Sequence, residues 1–425
     1  MPTSGIIAIA GVKPGSEEQL RATLNRIGND VRGRRLAVGA PEPHIDFPRS
    51  RTIHFARLAL LDDTDRAPGR KRLLLATDYD GAWRDHVAEL HALTTVPDRI
   101  WGCCEGYAGR DRFPEFIRAR TVEPQAYYIA FPGDTLEGIR RALQFWKRVG
   151  AQLNLAPQAP LPALARRGLD AAIRIPAAGL EALDILRRNG PLNALLAARQ
   201  INATLDRIWW VWFFNRLTLN SPASARTRYS EAPPDTAADC APATAEDEVV
   251  SGSEQDGTPG EDLVSQNQLT LLTVVRPERV ERLRAVLDLI NLYARRLSPK
   301  GSLVGISTIH TVRWALIDGG KRLLMVSNYD GTWESYIDEF AELILSGLDA
   351  LWTGSHGFPE SGSQDVAALK HFLRCHQAPA NVFYSAYPDA TVLNISDALD
   401  MEQGLSPKID VATRQAQQTK EMRRS

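Results

Sequence analysis

The chain states one pattern twice. Thr52-Ile53-His54-Phe55-Ala56-Arg57-Leu58-Ala59-Leu60 returns as Thr308-Ile309-His310-Thr311-Val312-Arg313-Trp314-Ala315-Leu316, and Asp78-Tyr79-Asp80-Gly81-Ala82-Trp83 returns as Asn328-Tyr329-Asp330-Gly331-Thr332-Trp333. The echo spreads outward. Lys13-Pro14 and Leu20-Arg21-Ala22-Thr23-Leu24 answer Arg276-Pro277 and Leu283-Arg284-Ala285-Val286-Leu287, while Tyr128, Phe131-Pro132 and Thr135 answer Tyr384, Tyr387-Pro388 and Thr391. Matches that keep their order and nearly keep their spacing imply that the two copies share a fold.

In the second copy, Gln268 to Val275 reads as a strand, and Pro277 then opens a segment, Glu278 to Leu297, with leucines at helical spacing. Two apolar runs, Ser307 to Asp318 and Lys321 to Asn328, meet at Asp318-Gly319-Gly320, a composition that favours a hairpin. Trp333 to Leu351 places Trp333, Tyr336, Ile337, Phe340, Leu343 and Ile344 on one apolar face, and Asn381 to Tyr387 makes a last strand. The order β-α-β-β-α-β is that of a ferredoxin-like unit, and Ile6 to Phe131 repeats it with a longer hairpin turn through Asp62 to Gly69. The expected class is α+β. A four-stranded sheet with both helices on one side leaves its other face bare, so two units are expected to pack face to face as a pseudo-two-fold α/β barrel, enclosing a core or a pocket.

The expected domains are a first repeat over 1–150, a helical insertion over 151–225, an acidic linker over 226–265, a second repeat over 266–405 and a flexible tail over 406–425. The insertion contains Ile208-Trp209-Trp210-Val211-Trp212-Phe213-Phe214. Buried, that run would seal one end of the barrel; exposed, Trp209, Trp210, Trp212, Phe213 and Phe214 would touch a membrane surface or a partner. Glu231 to Asp262 holds ten acidic residues and no Lys or Arg, which is the composition of a disordered linker. Lys plus Arg at 50 against Asp plus Glu at 51 argues against nucleic acid as a partner. Cys103, Cys104, Cys240 and Cys375 fit neither a disulfide scaffold nor a zinc site. With no signal-peptide pattern at the start and no run of about 20 apolar residues, the expected setting is cytoplasmic, with peripheral attachment at the inner face of the membrane as an option.

His54 and His310 are the first candidates for chemistry. In a period-two strand His54 shares a face with Thr52 and Ala56, so one histidine per sheet would look into a shared interior. Such a histidine is either a haem or metal ligand, a general base, or a half-buried group bonded to a neighbouring strand. Asp80 and Asp330 stand where the third strand hands over to the next helix, as N-caps or as acid/base carboxylates with Arg57 or Arg313 as charge partner. Trp101-Gly102-Cys103-Cys104-Glu105-Gly106-Tyr107 corresponds to Trp352-Thr353-Gly354-Ser355-His356-Gly357-Phe358. Trp101, Tyr107, Trp352, His356 and Phe358 would form a ligand lip on this shared frame, unless the frame is a glycine-capped helix end anchored by aromatics. His371, Cys375 and His376 lie on an expected helix with His371 and Cys375 four apart, but no acidic or second cysteine partner is nearby in sequence, so no metal is assigned. GxxxxGK[ST], GxGxxG, GxSxG and HExxH are all missing from the chain.

Gln266-Asn267-Gln268-Leu269-Thr270, the Thr-Ile-His strand, Ser327 to Tyr336 and Tyr384-Ser385-Ala386-Tyr387-Pro388 together resemble an uncharacterised bacterial family with duplicated ferredoxin-like halves. At superfamily level they are similar to the dimeric α/β barrels, the group of chlorite dismutases and dye-decolourising peroxidases. That resemblance implies a haem enzyme, with His310 or His54 as axial ligand and Asp330 with Arg313 as distal acid/base and charge partner. Of the peroxidases' GxxDG motif only Asp80-Gly81 and Asp330-Gly331 remain, since Thr77 and Ser327 stand at its first glycine. The leading expectation is a protein that binds a small apolar or lipid-like ligand between its sheets. The alternatives are a haem-dependent peroxidase-like oxidoreductase and a non-catalytic scaffold for a protein partner.

Overall fold

The computed structural model describes residues 3–33, 44–62, 70–153, some positions between 181 and 193, and 265–404. The aromatic run Trp209 to Phe214, the acidic stretch Glu231 to Asp262, the turn residues 63–69 and the tail from 405 lie outside the described residues.

Strands β1 (Thr3–Gly11), β2 (Ile53–Asp62) and β3 (Lys71–Asp80) belong to one antiparallel sheet, and β5 (Gln266–Val274), β6 (Ile309–Ile317) and β7 (Arg322–Asp330) to a second. The short strands β4 (Ala126–Ile129) and β8 (Ala380–Ser385) complete them crosswise. The orders are β1-β3-β2-β8 and β4-β6-β7-β5, so each sheet takes its fourth strand from the other half of the chain. The strands expected at 268–275, 307–318, 321–328 and 381–387 are present within one or two residues of those limits. Turn chemistry explains the accuracy, because Asp318-Gly319-Gly320 does connect β6 to β7, with Asp318 at φ 54 and both glycines also at positive φ.

Helices α1 (Glu17–Gly33), α2 (Trp83–Leu93), α3 (Pro97–Trp101) and α4 (Phe113–Arg118) cover the outer face of the first sheet. Leu20, Leu24, Ile27, Val87 and Leu90 bury there against Ala56, Leu58, Leu60, Leu73 and Leu75. Helices α6 (Val280–Leu292), α7 (Trp333–Leu343), α8 (Leu345–Trp352) and α9 (Val366–Cys375) do the same for the second sheet. The helix expected from Trp333 to Leu351 divides at Ile344, whose φ −135 and ψ 35 leave the helical region. Two further helices follow the exchanged strands, α5 (Leu136–Leu153) after β4 and α10 (residues 392–404) after β8, and Arg141 meets Glu402 between them at 2.6 Å. Of the insertion, Glu181, Ile185 and Asn189 dock on the C-terminal part of α6 and the turn after it. Asn189 reaches Asp288 at 2.6 Å, and Glu181 pairs with Arg296 at 2.9 Å.

The inner faces of the two sheets meet. Ile7, Ala59, Leu61, Leu74 and Ala76 pack against Leu272, Ala315, Ile317, Leu324 and Val326. Each of the larger aliphatic side chains here contributes roughly 1.5–3 kcal/mol on burial, and the alanines less, so this layer draws the sheets together. The outer edges are closed as well. Residues 120–122 run along β1, through Ile9 N to Arg120 O and Val122 N to Ile7 O, and residues 376–378 run along β5 in the matching way. Covering an edge in this manner removes the unpaired backbone groups that invite another chain.

Candidate functional site

Alternation along β2 begins at Phe55. The register shifts between Ile53 and Phe55, and again between Ile309 and Thr311, so His54 and His310 each sit in a β-bulge. A bulge re-aims a side chain. Arg57 in one half and Arg313 in the other enter the interior between the sheets, while the rings of His54 and His310 both lie near Tyr387, at centroid distances of 6.0 and 6.1 Å, and His310 also meets Phe55 of the first sheet at 5.3 Å.

Both arginines are almost fully buried, at 2% and 1% exposure, and each crosses to the opposite sheet. Arg57 donates to Leu269 O and Thr270 Oγ1, both at 2.8 Å, to Gln268 Oε1 at 3.1 Å, and to Ser327 O and Asn328 Oδ1. Arg313 donates to Ile6 O at 2.8 Å, Thr77 O at 3.1 Å and Asp78 Oδ2 at 3.2 Å. Its approach needs Gly5, because a Cβ there would stand 2.6 Å from Arg313 Nη1. Asp78 also accepts from Tyr127 OH at 2.6 Å and Asn328 Nδ2 at 3.1 Å, which links the two guanidiniums in one chain of bonds. Burial first, and then the charge of Arg313, pull the Arg57 guanidinium down to about 9, so it remains a cation at neutral pH. The carboxylate that Arg313 meets is thus Asp78, and neither Asp80 nor Asp330 has an arginine partner of the kind expected.

Asp80 and Asp330 pair instead with the histidines, His54 Nε2 to Asp80 Oδ1 at 3.0 Å and His310 Nε2 to Asp330 Oδ1 at 2.7 Å. The helix that each carboxylate caps is not the next one in sequence. Asp80 accepts from Leu136 N at the start of α5, and Asp330 from Val392 N at the start of α10, both at 2.6 Å. Burial alone would push the Asp80 carboxyl up. The hydrogen bond and charge of His54, with Leu136 N–H and Thr3, outweigh it and hold the group below its ordinary value. Tyr387 OH lies 3.1 Å from His54 Nδ1, and burial holds this phenol far above its ordinary range, so it is the donor. The corresponding residue in the first half is Phe131, which has no hydroxyl, and His310 Nδ1 is left without a hydrogen-bond partner among the described residues. Chemically these are two buried histidine–carboxylate pairs, joined at Nε2 by a hydrogen bond in the second half and by a 3.0 Å ion-pair contact in the first.

The expected lip residues sit on the helical side of the sheets. Trp101 packs on Phe113 and Phe116, Tyr107 donates to Asp98 Oδ1 at 2.8 Å, Trp352 is 3% exposed in the core and Phe358 meets Phe372 edge-on. His356 N and Glu105 N bond to Val274 O and Gly11 O, so both loops are stitched to a strand end. Cys103 and Cys104 are buried free thiols, and burial pushes Cys104 up to about 12, which leaves it inert as a nucleophile. Among the described residues no cluster of three metal-ligating side chains occurs, and no helix is long and apolar enough to cross a membrane.

An open cleft of about 420 Å³ lies where the first sheet meets the end of β6. Ile9, Val122 and Ile317 of its lining continue into the apolar layer between the sheets, and Leu316 also borders it. Arg70, Lys71, Arg72 and Arg120 contribute four cations to the lining, against the two carboxylates of Glu105 and Asp318. Arg72 is held by Asp318 through two bonds of 2.9 and 3.1 Å, and Lys71 pairs with Asp62. Arg70 pairs with Glu105 at the surface. Arg120 gives its guanidinium to Phe116 O at 3.2 Å, to Glu105 O and to the Phe116 ring, and no carboxylate among the described residues neutralises it. Sequence reasoning missed this cleft. Its signal was a difference between the halves, since Arg70, Arg120, Glu105 and Gly11 correspond to Gly320, His376, His356 and Val274. In comparisons with models of known protein families, with curated proteins and with solved structures, nothing matches this chain.

Proposed function

We propose that the protein binds a small lipid-like molecule with an anionic head in the cleft at the seam of the two sheets. The observation that carries this reading is a cleft lining that combines apolar residues (Ile9, Val122, Leu316, Ile317) with four cations, of which Arg120 has no carboxylate partner among the described residues. Its size falls within the range of about 300–1,000 Å³ typical of small-molecule sites. The positions kept in both halves, His54 and His310, Asp80 and Asp330, Arg57 and Arg313, all serve contacts that hold the sheets and capped helices together. The cleft is built where the halves differ, which is where a function of one half alone would reside. We infer further that the halves are ferredoxin-like units, related by duplication and closed as an α/β barrel through their exchanged strands. The recurring element order and the paired bulges support this, as does the crossed pair of arginines.

Calorimetric titration tests the binding reading, with decanoate as probe and decanol and decylamine as uncharged and cationic controls. Decanoate is expected to bind with a Kd below about 1 mM and decanol at least about tenfold more weakly. Replacing Arg70 and Arg120 together by Ala should cost about tenfold in decanoate affinity, a modest factor because Arg70 and Arg120 are only partly buried. Equal binding of all three probes, or none of decanoate, would refute the reading.

A further inference from the structure

Resting on the anion-binding reading, we propose that Glu105 is a built-in competitor for the ligand's head group: its carboxylate pairs with Arg70 at the cleft and is displaced when the anion binds. The four cations differ in how firmly they are held. Arg72 and Asp318 are 7% and 13% exposed and joined by two bonds, a pair too buried to separate for a ligand. Arg70 and Glu105 are 39% and 47% exposed, and an ion pair at that exposure is weak and readily exchanged for another anion.

Backbone geometry fixes where the competitor stands. Glu105 N donates to Gly11 O at 2.8 Å and its carbonyl accepts from Arg120, so the main chain of this residue is anchored while its side chain is half-exposed. The carboxylate rests over bare backbone, because a Cβ on Gly11 would come within 2.8 Å of Glu105 Oε2. Three of these parts are missing together from the second half, where His356, Gly320 and Val274 replace Glu105, Arg70 and Gly11. An acid appears only beside the arginine it can mask. Removing it should leave two guanidiniums, of Arg70 and Arg120, facing one cleft, a donor set suited to a carboxylate or phosphate head.

The test is decanoate titration of the full chain as wild type, Glu105→Gln, Arg70→Ala and the double variant. Glu105→Gln is expected to bind decanoate about fivefold more tightly than wild type, with no such gain in the Arg70→Ala background. Gly11→Ala offers a second route, since its methyl group should push the carboxylate off its resting place and raise affinity in the same direction. Unchanged or weaker binding by Glu105→Gln, with wild type still binding decanoate, would overturn the competitor role and leave the anion site standing. If neither wild type nor Glu105→Gln binds, both readings fall.

Discussion

His86 lies flat against Tyr79, ring centroids 3.7 Å apart, with Nε2 2.8 Å from Thr77 Oγ1; in the second half Tyr336 stacks on Tyr329 at 3.9 Å and meets Ser327 Oγ at 2.7 Å. The two arrangements fill the same space, but only one of them titrates. Burial pulls His86 down to about 3 from 6.5, so between those values the unfolded chain binds a proton that the folded chain refuses. Stability from this group is therefore complete above pH 6.5 and is lost as pH falls toward 3. His86→Tyr, which copies the second half, is expected to spare the protein about 3 kcal/mol of destabilisation between neutral pH and pH 4. Urea unfolding of both proteins across that range would show it, and parallel pH profiles would refute it. The same logic of corresponding positions distinguishes His54, whose Nδ1 meets Tyr387, from His310, whose Nδ1 has no hydrogen-bond partner among the described residues. At this scale the sequence was informative about which residues matter and poor about their partners, because Asp78 and Asp80 lie two apart on the same face of β3, and only the packed fold sets Asp78 against Arg313 and Asp80 against His54.

The hairpin joining β6 to β7 holds more than its own turn. Asp318 sits at φ 54, takes two bonds from Arg72 of the first sheet, and meets Arg322 at 3.1 Å. Asp318→Asn preserves a residue tolerant of that backbone but removes the charge from two guanidiniums that are 6% and 0% exposed. A loss of about 3 kcal/mol is expected from denaturant midpoints. Asp62→Asn, whose partner Lys71 is 20% exposed, should cost less than about 1 kcal/mol. Similar losses in the two variants would show that the crossed pair is no different from a surface one. Strands and hairpins were legible in advance because alternation and Asp-Gly-Gly are local signals. The bulges at His54 and His310 were not, since neither Gly nor Pro marks them, and the cleft was not, since Ile9, Arg70, Arg120 and Asp318 meet only after the sheets pack. The capping role of Asp80 was legible as chemistry but assigned to the wrong helix, because it acts across an exchanged strand on Leu136.

Neither half of the chain owns a finished sheet. β2 pairs with β8 from Phe55 to Ala59, and β6 pairs with β4 from Thr311 to Trp314, so each sheet's hydrogen bonding is closed by residues of the other half. Two independent domains would melt separately, whereas this arrangement is expected to unfold in one transition, with calorimetric and van't Hoff enthalpies in agreement. Two resolved transitions in a scanning calorimeter would count against the strand exchange. Pairing partners so far apart in sequence leave no local trace, which is why the recurring motifs were readable and the crossing was not. The exchange also sets an order of events during synthesis. β2 is complete at Asp62, but the strand that covers its open edge begins at Ala380. At roughly 5–20 residues per second, that interval corresponds to about 15–60 s in which a nascent chain carries an unpaired strand edge. A ribosome making this protein therefore holds, for most of the translation time, a half-sheet able to pair with the wrong neighbour, and chaperone occupancy of the first half should end only when the last strand emerges.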